Sequence, residues 1–192
     1  AVACAAALTA TGTARSQNRD YPVQPVPFTS VRLDDAFWAP RIETNRKVTI
    51  PVAFQQCERT QRVYNFERAA KVLAGEPLDD LKPPPYPFDD TDLYKVIEGA
   101  AYTLSVVPDP KLDAYVDSLI ATIAAAQEPD GYLYTTRTIN PEAPHRWAGT
   151  ERWQLERDDS HELYNLGHMF EAAIAHHLAT GKRTFLDVAI KA

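Results

Sequence analysis

One supersecondary unit occurs twice in this chain, and it constrains the fold more than any other feature. "DDTDLYKVIEGAAYTLSVV" carries apolar residues at helical spacing, "PDP" turns the chain, and "KLDAYVDSLIATIAAAQ" returns as a second helix. The order then recurs. "EGAAYTL" from Glu98 resembles "EAAIAHH" from Glu171, "KLDAYV" resembles "FLDVAI", and Thr180-Gly181 stops the longer helix of the second unit. A helical hairpin cannot bury its apolar stripe alone. Repetition of one therefore implies an all-α array, stacked or circular.

The flanking segments read as connections and shorter helices. Pro40 and Pro51 interrupt the helical pattern of "LDDAFWAPRIETNRKVTIPVAFQQCER". "NFERAAKVLAGE" is expected as a helix capped by Asn65 and stopped by Gly75. "PLDDLKPPPYPFDD" is too rich in proline to be anything but a loop. Asp130-Gly131 marks a turn before a short extended piece at Tyr132, and residues 137–159 form a long irregular loop with two tryptophans.

The first residues differ in kind. "AVACAAALTATGTARSQ" is small and apolar with no charge before Arg15, which suits the remnant of a secretory signal peptide over residues 1–18 and a secreted or periplasmic protein. Residues 19–30 read as a proline-rich linker and 31–192 as the helical domain. At the other end, "TFLDVAIKA" starts a helix with no stop signal, so the domain is expected to be truncated there. The net charge of −6 and the lack of a basic stripe argue against a nucleic-acid partner. No run spans a membrane, and nothing in the sequence sets an oligomeric state.

The helix that opens "DDSHELYNLGHMFEAAIAHHLAT" carries most of the histidines. Asp159 and Glu162 have the spacing of a capping box, which puts His161 in the first turn. The zinc-protease pattern H-E-x-x-H fails, because Asn165 stands where the second histidine belongs. His168 shares a face with His161 but lies about 10 Å further along the axis, too far for one shared metal. His176 and His177 point about 100° apart. No zinc site forms along this helix alone. Leu163, Leu166, Met169, Phe170, Ala173 and Ile174 form the expected core stripe. The opposite side (His161, Asn165, His168, Ala172, Ala175, Ala179) carries no formal charge, so it is either covered or lines a cavity. A neutral imidazole at the helix mouth both donates and accepts, as a sugar hydroxyl requires.

"DDTDLYKVIEGAAYTLSVVPDPKL", "AQEPDGYLYT" and "SHELYNLGHMFEAAIAHHLATGKRTFLDVAIK" together resemble glycoside hydrolase family 127, the β-L-arabinofuranosidase-like enzymes; "DAFWAPRIETNRKVTIP" and "NFERAAKVLAGE" fit as well. The resemblance runs from Val31 to Ala192. It implies an (α/α)6 toroid of six hairpins followed by β-sandwich domains, with about half the toroid present here. It also implies a retaining hydrolase of β-L-arabinofuranosides or related plant-type glycans, with a carbohydrate as its partner. The family's nucleophile is a cysteine on zinc, held with two further cysteines and a glutamate, while a second glutamate is the acid/base. The metal stabilises the thiolate, which attacks the anomeric carbon in a double displacement.

None of that machinery matches this chain. The family's ligands include a Cys-Cys pair, whereas Cys4 and Cys57 are isolated. Zinc is therefore expected in the full-length enzyme and no cofactor on these residues, with the catalytic groups beyond Ala192. His161 corresponds to the family histidine that contacts the sugar. Asp92 and Tyr94 match a family motif at a helix start, where a structural cap is the competing role. His161, His168 and Asp92 are the substrate-binding candidates; no catalytic or metal-ligating residue is assigned. Two other readings stay open: another helical-toroid carbohydrate enzyme (a polysaccharide lyase or an unsaturated glucuronyl hydrolase) and a non-catalytic helical scaffold.

Overall fold

The structure, a computed structural model, describes residues 23–192. Residues 1–22, with the signal-peptide reading and the start of the linker, lie outside it. The chain divides at Val31 into two units, which are described separately. The described part of the first holds one 3-10 turn, Phe28–Ser30. The second, from Arg32, is helical; no strand occurs among the described residues, and no helix there is long and apolar enough to cross a membrane.

Asp35 starts the helical unit by accepting from the backbone N–H groups of Phe37 and Trp38, both at 2.8 Å. Helix α1 (Trp38–Thr44) continues through a π turn, Asn45–Thr49, into α2 (Ile50–Arg59). The two prolines do not break the helix as expected. Pro40 sits in the first turn of α1, where its N–H is not needed. Pro51 follows the π turn, where the wider ladder, with Ile50 N–H on Asn45 O, absorbs the missing donor.

Gln61, at φ 68°, turns the chain into α3 (Arg62–Leu73). Asn65 is not the cap; it is buried inside α3 with its backbone N–H on Gln61 O at 2.9 Å. Gly75 does stop the helix, at φ 74°. The proline-rich loop leads to α4 (Asp90–Val106), and Asp109 caps α5 (Pro110–Ala125) by accepting from Lys111 N at 3.0 Å and Leu112 N at 3.2 Å. A short α6 (Thr135–Ile139) takes the start of the long loop. Helices α7 (Glu162–Thr180) and α8 (Thr184–Lys191) form the last hairpin, with Gly181 as the left-handed stop.

The repeat is real in space. Helices α4 and α7 pack along each other more extensively than any other pair. They run parallel. Phe88, before α4, meets His161, before α7, at 5.1 Å, while at the other end Lys182 reaches Asp113 of α5 at 2.6 Å. Pairs α2–α3, α4–α5 and α7–α8 make about half of an (α/α)6 toroid, the fold expected from the sequence. Tyr94, fully buried, ties three of these helices by packing on Phe66 of α3 at 5.6 Å and Phe185 of α8 at 6.2 Å. Burial of Leu93, Ile97, Ile120 and Ile123 in the same core stabilises the unit by about 1.5–3 kcal/mol for each side chain.

The facing of α7 differs from its apolar pattern. Leu163 is 60% exposed and Ile174 51%, whereas Asn165, Ala172, Ala175 and His176 are buried. The reason is steric. Ala100 and Ala101 of α4 are fully buried, as are Ala172 and Ala173 of α7, and small side chains let two helices approach closely. Closeness, not hydrophobicity, selects the buried side.

Candidate functional site

The mouth of α7 is built by its neighbours rather than by a capping box. Glu162 turns inward, fully buried, and accepts four hydrogen bonds: two from Trp153 N at 2.9 and 3.0 Å, one from Tyr132 OH at 2.5 Å and one from Ser160 Oγ at 2.9 Å. Trp153 takes φ 66° to aim its N–H there. Tyr134 OH donates to Ser160 O at 2.6 Å. The helix N–H groups are served instead by Glu156, whose Oε2 accepts from Leu163 N at 3.1 Å. Asp159 contributes only its carbonyl, so the expected Asp159–Glu162 box does not form.

That framework leaves His161 outside the first turn, as the N-cap residue at φ 58°, ψ 30°. Its Nδ1 lies 2.7 Å from Asp159 O. A carbonyl only accepts, so Nδ1 carries the hydrogen and, in the neutral ring, Nε2 keeps the free lone pair. The ring packs on Phe88 at 5.1 Å and on Tyr164 at 5.8 Å. It is not in the apolar stripe.

Tyr164 joins the other two candidates into one face. Its ring lies edge-on to His168 at 4.6 Å, and its OH accepts from Lys95 Nζ at 2.6 Å. His168 is partly exposed, with Nδ1 3.3 Å from Glu171 Oε2, beside Glu98 of α4. Asp92, half exposed, is held by Arg62 Nε at 3.0 Å, while the same guanidinium reaches the buried Asp89 Oδ1 at 2.8 Å. Asp92 and Lys95 line a groove of about 320 Å³ together with Cys57, Thr60 and Arg62. His161, Tyr164 and His168 thus run down α7, and Asp92, Lys95 and Glu98 run down the parallel α4. Sequence reasoning missed Lys95, Tyr164 and Phe88. Tyr164 had a signal, since it falls three residues after His161 and four before His168.

Electrostatics around the mouth come from burial. Asp90 is buried, accepts from Thr135 N at 2.9 Å and Thr135 Oγ1 at 2.6 Å, and its carboxyl is pushed up to about 7 because burial outweighs those bonds. Asp89 is raised by burial, with Arg62 pulling against it. Burial pushes the Cys57 thiol up to about 11. Cys57 is the one cysteine among the described residues, so a zinc site of three cysteines and a glutamate does not fit them.

Residues 30–192 match the profile of the beta-L-arabinofuranosidase, GH127 catalytic domain.

The chain belongs to family GH127.

A solved GH127 beta-arabinofuranosidase is 57% identical to this GH127 chain, with a TM-score of 0.83 over 89% of it and 26% of the solved chain. A GH127 beta-L-arabinofuranosidase from Geobacillus stearothermophilus T6 is 36% identical, with a TM-score of 0.71 over 84% of this chain and 24% of its own. A non-reducing end beta-L-arabinofuranosidase of Bifidobacterium longum subsp. longum is 44% identical over 121 residues, which are 63% of this chain and 18% of that protein. The GH127 chain thus spans about a quarter or less of the relatives it matches.

Proposed function

We propose that the chain supplies one wall of the sugar pocket in a retaining hydrolase of β-L-arabinofuranosides. The observation that carries this is His161. It is held in a left-handed conformation at the α7 mouth, with Nδ1 spent on Asp159 O and Nε2 left for a ligand. Tyr164 offers a half-exposed aromatic face beside it, and Lys95 a donor already aimed at that face. Neutral and cationic donors around an exposed ring suit a polyhydroxylated ligand. Membership in GH127 supports the reaction class and disfavours both the lyase and the scaffold readings.

In this reading the nucleophile, the acid/base and the zinc ligands come from residues other than these 192, and no catalytic step is assigned here. The chain's share is to bind and orient. The test is His161→Ala in the complete catalytic protein, assayed on an aryl β-L-arabinofuranoside. Loss of a hydrogen bond worth about 0.5–1.5 kcal/mol lowers kcat/KM by roughly two- to tenfold, and by more where the bond strengthens in the transition state, with the fold intact. Unchanged kinetics would place the sugar elsewhere.

The signal-like first 18 residues support export, and 19–30 serve as the linker to the catalytic unit. Mass analysis of the secreted protein's first residue checks this; recovery of an uncleaved N-terminus from the cytoplasm contradicts it.

A further inference from the structure

The opposite end of α7 holds a second cluster that the sugar-pocket reading does not use. His176 is fully buried, and neither ring nitrogen has a hydrogen-bond partner. Its Nε2 is 3.9 Å from Asp117 Oδ1, a buried oxygen that also lacks a partner. Asp113 and Asp117 stand one turn apart on α5 and present their carboxylates to the same point. Lys182, from the α7–α8 turn, places Nζ 2.6 Å from Asp113 Oδ1 and 2.6 Å from Asp117 Oδ2.

We infer that Asp113, Asp117 and His176 form a site for a first-row divalent cation of the zinc type, with Lys182 as the competing cation. A gap of 3.9 Å is too long for a hydrogen bond. It fits two donors on one metal, which at about 2.0–2.2 Å from each donor lie about 3.4 Å apart in tetrahedral geometry and at most about 4.3 Å apart. The three donor atoms already lie within 4.8 Å of one another. Both aspartates are partly exposed and can close the remainder by rotation.

One imidazole and two carboxylates suit a borderline divalent ion. Burial holds His176 below its ordinary value, which favours the neutral ring whose lone pair a metal takes. Lys182 cannot complete the site itself. It neutralises one carboxylate charge of two and leaves His176 Nε2 and Asp117 Oδ1 facing each other. Its head is one-third exposed and can swing to solvent when a dication enters. Bound there, the metal would pin α5 to α7. The α7 sequence alone does not reveal this, because two of the three ligands come from another helix.

The test is zinc titration of the chelator-stripped protein against a chromophoric competitor, with thermal melting by circular dichroism and the visible bands of Co2+ as a second probe. The wild-type 192-residue chain takes one equivalent, and zinc raises its Tm. Lys182→Gln binds at least about tenfold tighter because the rival ammonium is gone, and Asp117→Asn at least about tenfold weaker. Glu171→Gln, which disrupts the separate Glu98–His168–Glu171 cluster, changes nothing. Either no saturable equivalent in the wild type, or Lys182→Gln binding no tighter, overturns the proposal. So does full affinity in a helical Asp117→Asn, or loss of affinity in Glu171→Gln.

Discussion

Tyr132 OH and Glu162 Oε1 meet at 2.5 Å inside the protein, and this bond ties the loop after α5 to the first residue of α7. Glu162 is the only α7 residue that also holds Trp153 N and Ser160 Oγ, so the two substitutions at this bond are unequal. Tyr132→Phe removes one donor and leaves the carboxylate with three bonds; it costs about 1–2 kcal/mol. Glu162→Gln puts an amide N–H against donors that need an acceptor, and costs more, about 3 kcal/mol. Urea denaturation of both variants and the double variant checks this, with a coupling energy of about 1 kcal/mol or more. Equal costs would show that Glu162 serves Tyr132 alone.

His161 carries strain that its ring justifies. A left-handed conformation costs a non-glycine residue about 1 kcal/mol or more, and His161 sits at φ 58°. His161→Gly should therefore be more stable than His161→Ala by about 1 kcal/mol, since both lose the ring and only glycine loses the strain. Paired urea midpoints measure this. An alanine variant as stable as the glycine one would mean that the backbone relaxes when the ring is gone.

Asp90 sets a pH dependence. Its folded value, about 7, lies above the ordinary 3.8, so the folded state binds the extra proton between those limits. Stability then falls as pH rises through that window, and the full penalty is present above about 7. His176 acts the other way: burial lowers its value below 6.5, so its contribution is lost as pH falls through that region. Comparing the wild type with Asp90→Asn cancels the histidine. The stability of Asp90→Asn relative to the wild type should rise by at least about 1 kcal/mol between about pH 5 and about pH 7.5. A flat difference would mean that Asp90 is ionised throughout.

Two left-handed glycines separate strain from collision. Gly181 has φ 76° and nothing within 4 Å of an added Cβ, so Gly181→Ala costs about 1 kcal/mol. Gly131 has φ 101°, and an added Cβ would stand 2.0 Å from Lys191 O. Gly131→Ala must move backbone and costs at least about 3 kcal/mol. Melting temperatures rank the pair, and a smaller loss at Gly131 would show that α8 yields there freely.

The long helices were legible because each shows the 3.6-residue period over four or five turns, and the Pro108–Pro110 turn was legible because it is local. What lay hidden was non-local. Glu162 looks like a capping residue until Tyr132 and the Trp153 N–H are brought to it. The Lys95–Tyr164 bond joins helices 69 residues apart, and no spacing rule reaches so far. The facing of α7 misled for another reason. Leucine and isoleucine mark the apolar side of an isolated helix, but the side of α7 that is buried here carries alanines and Asn165. His161 stands at the mouth of α7 as its spacing suggested, but its left-handed backbone depends on the loop that precedes it.

Those buried alanines also set the terms on which the wall can change. Ala100 and Ala101 of α4 and Ala172 and Ala173 of α7 are fully buried, on the two helices that pack along each other most extensively. His168 stands one turn before Ala172, and Glu98 three residues before Ala101, so the proposed ligand face borders the buried alanines directly. Tyr164, His168, Lys95 and Glu98 keep some exposure and can change toward solvent, as type can be reset in a locked forme. In the proposed pocket, selection for a new sugar can act on that row, while a single enlarged alanine, buried with no free space, would press on its neighbours there.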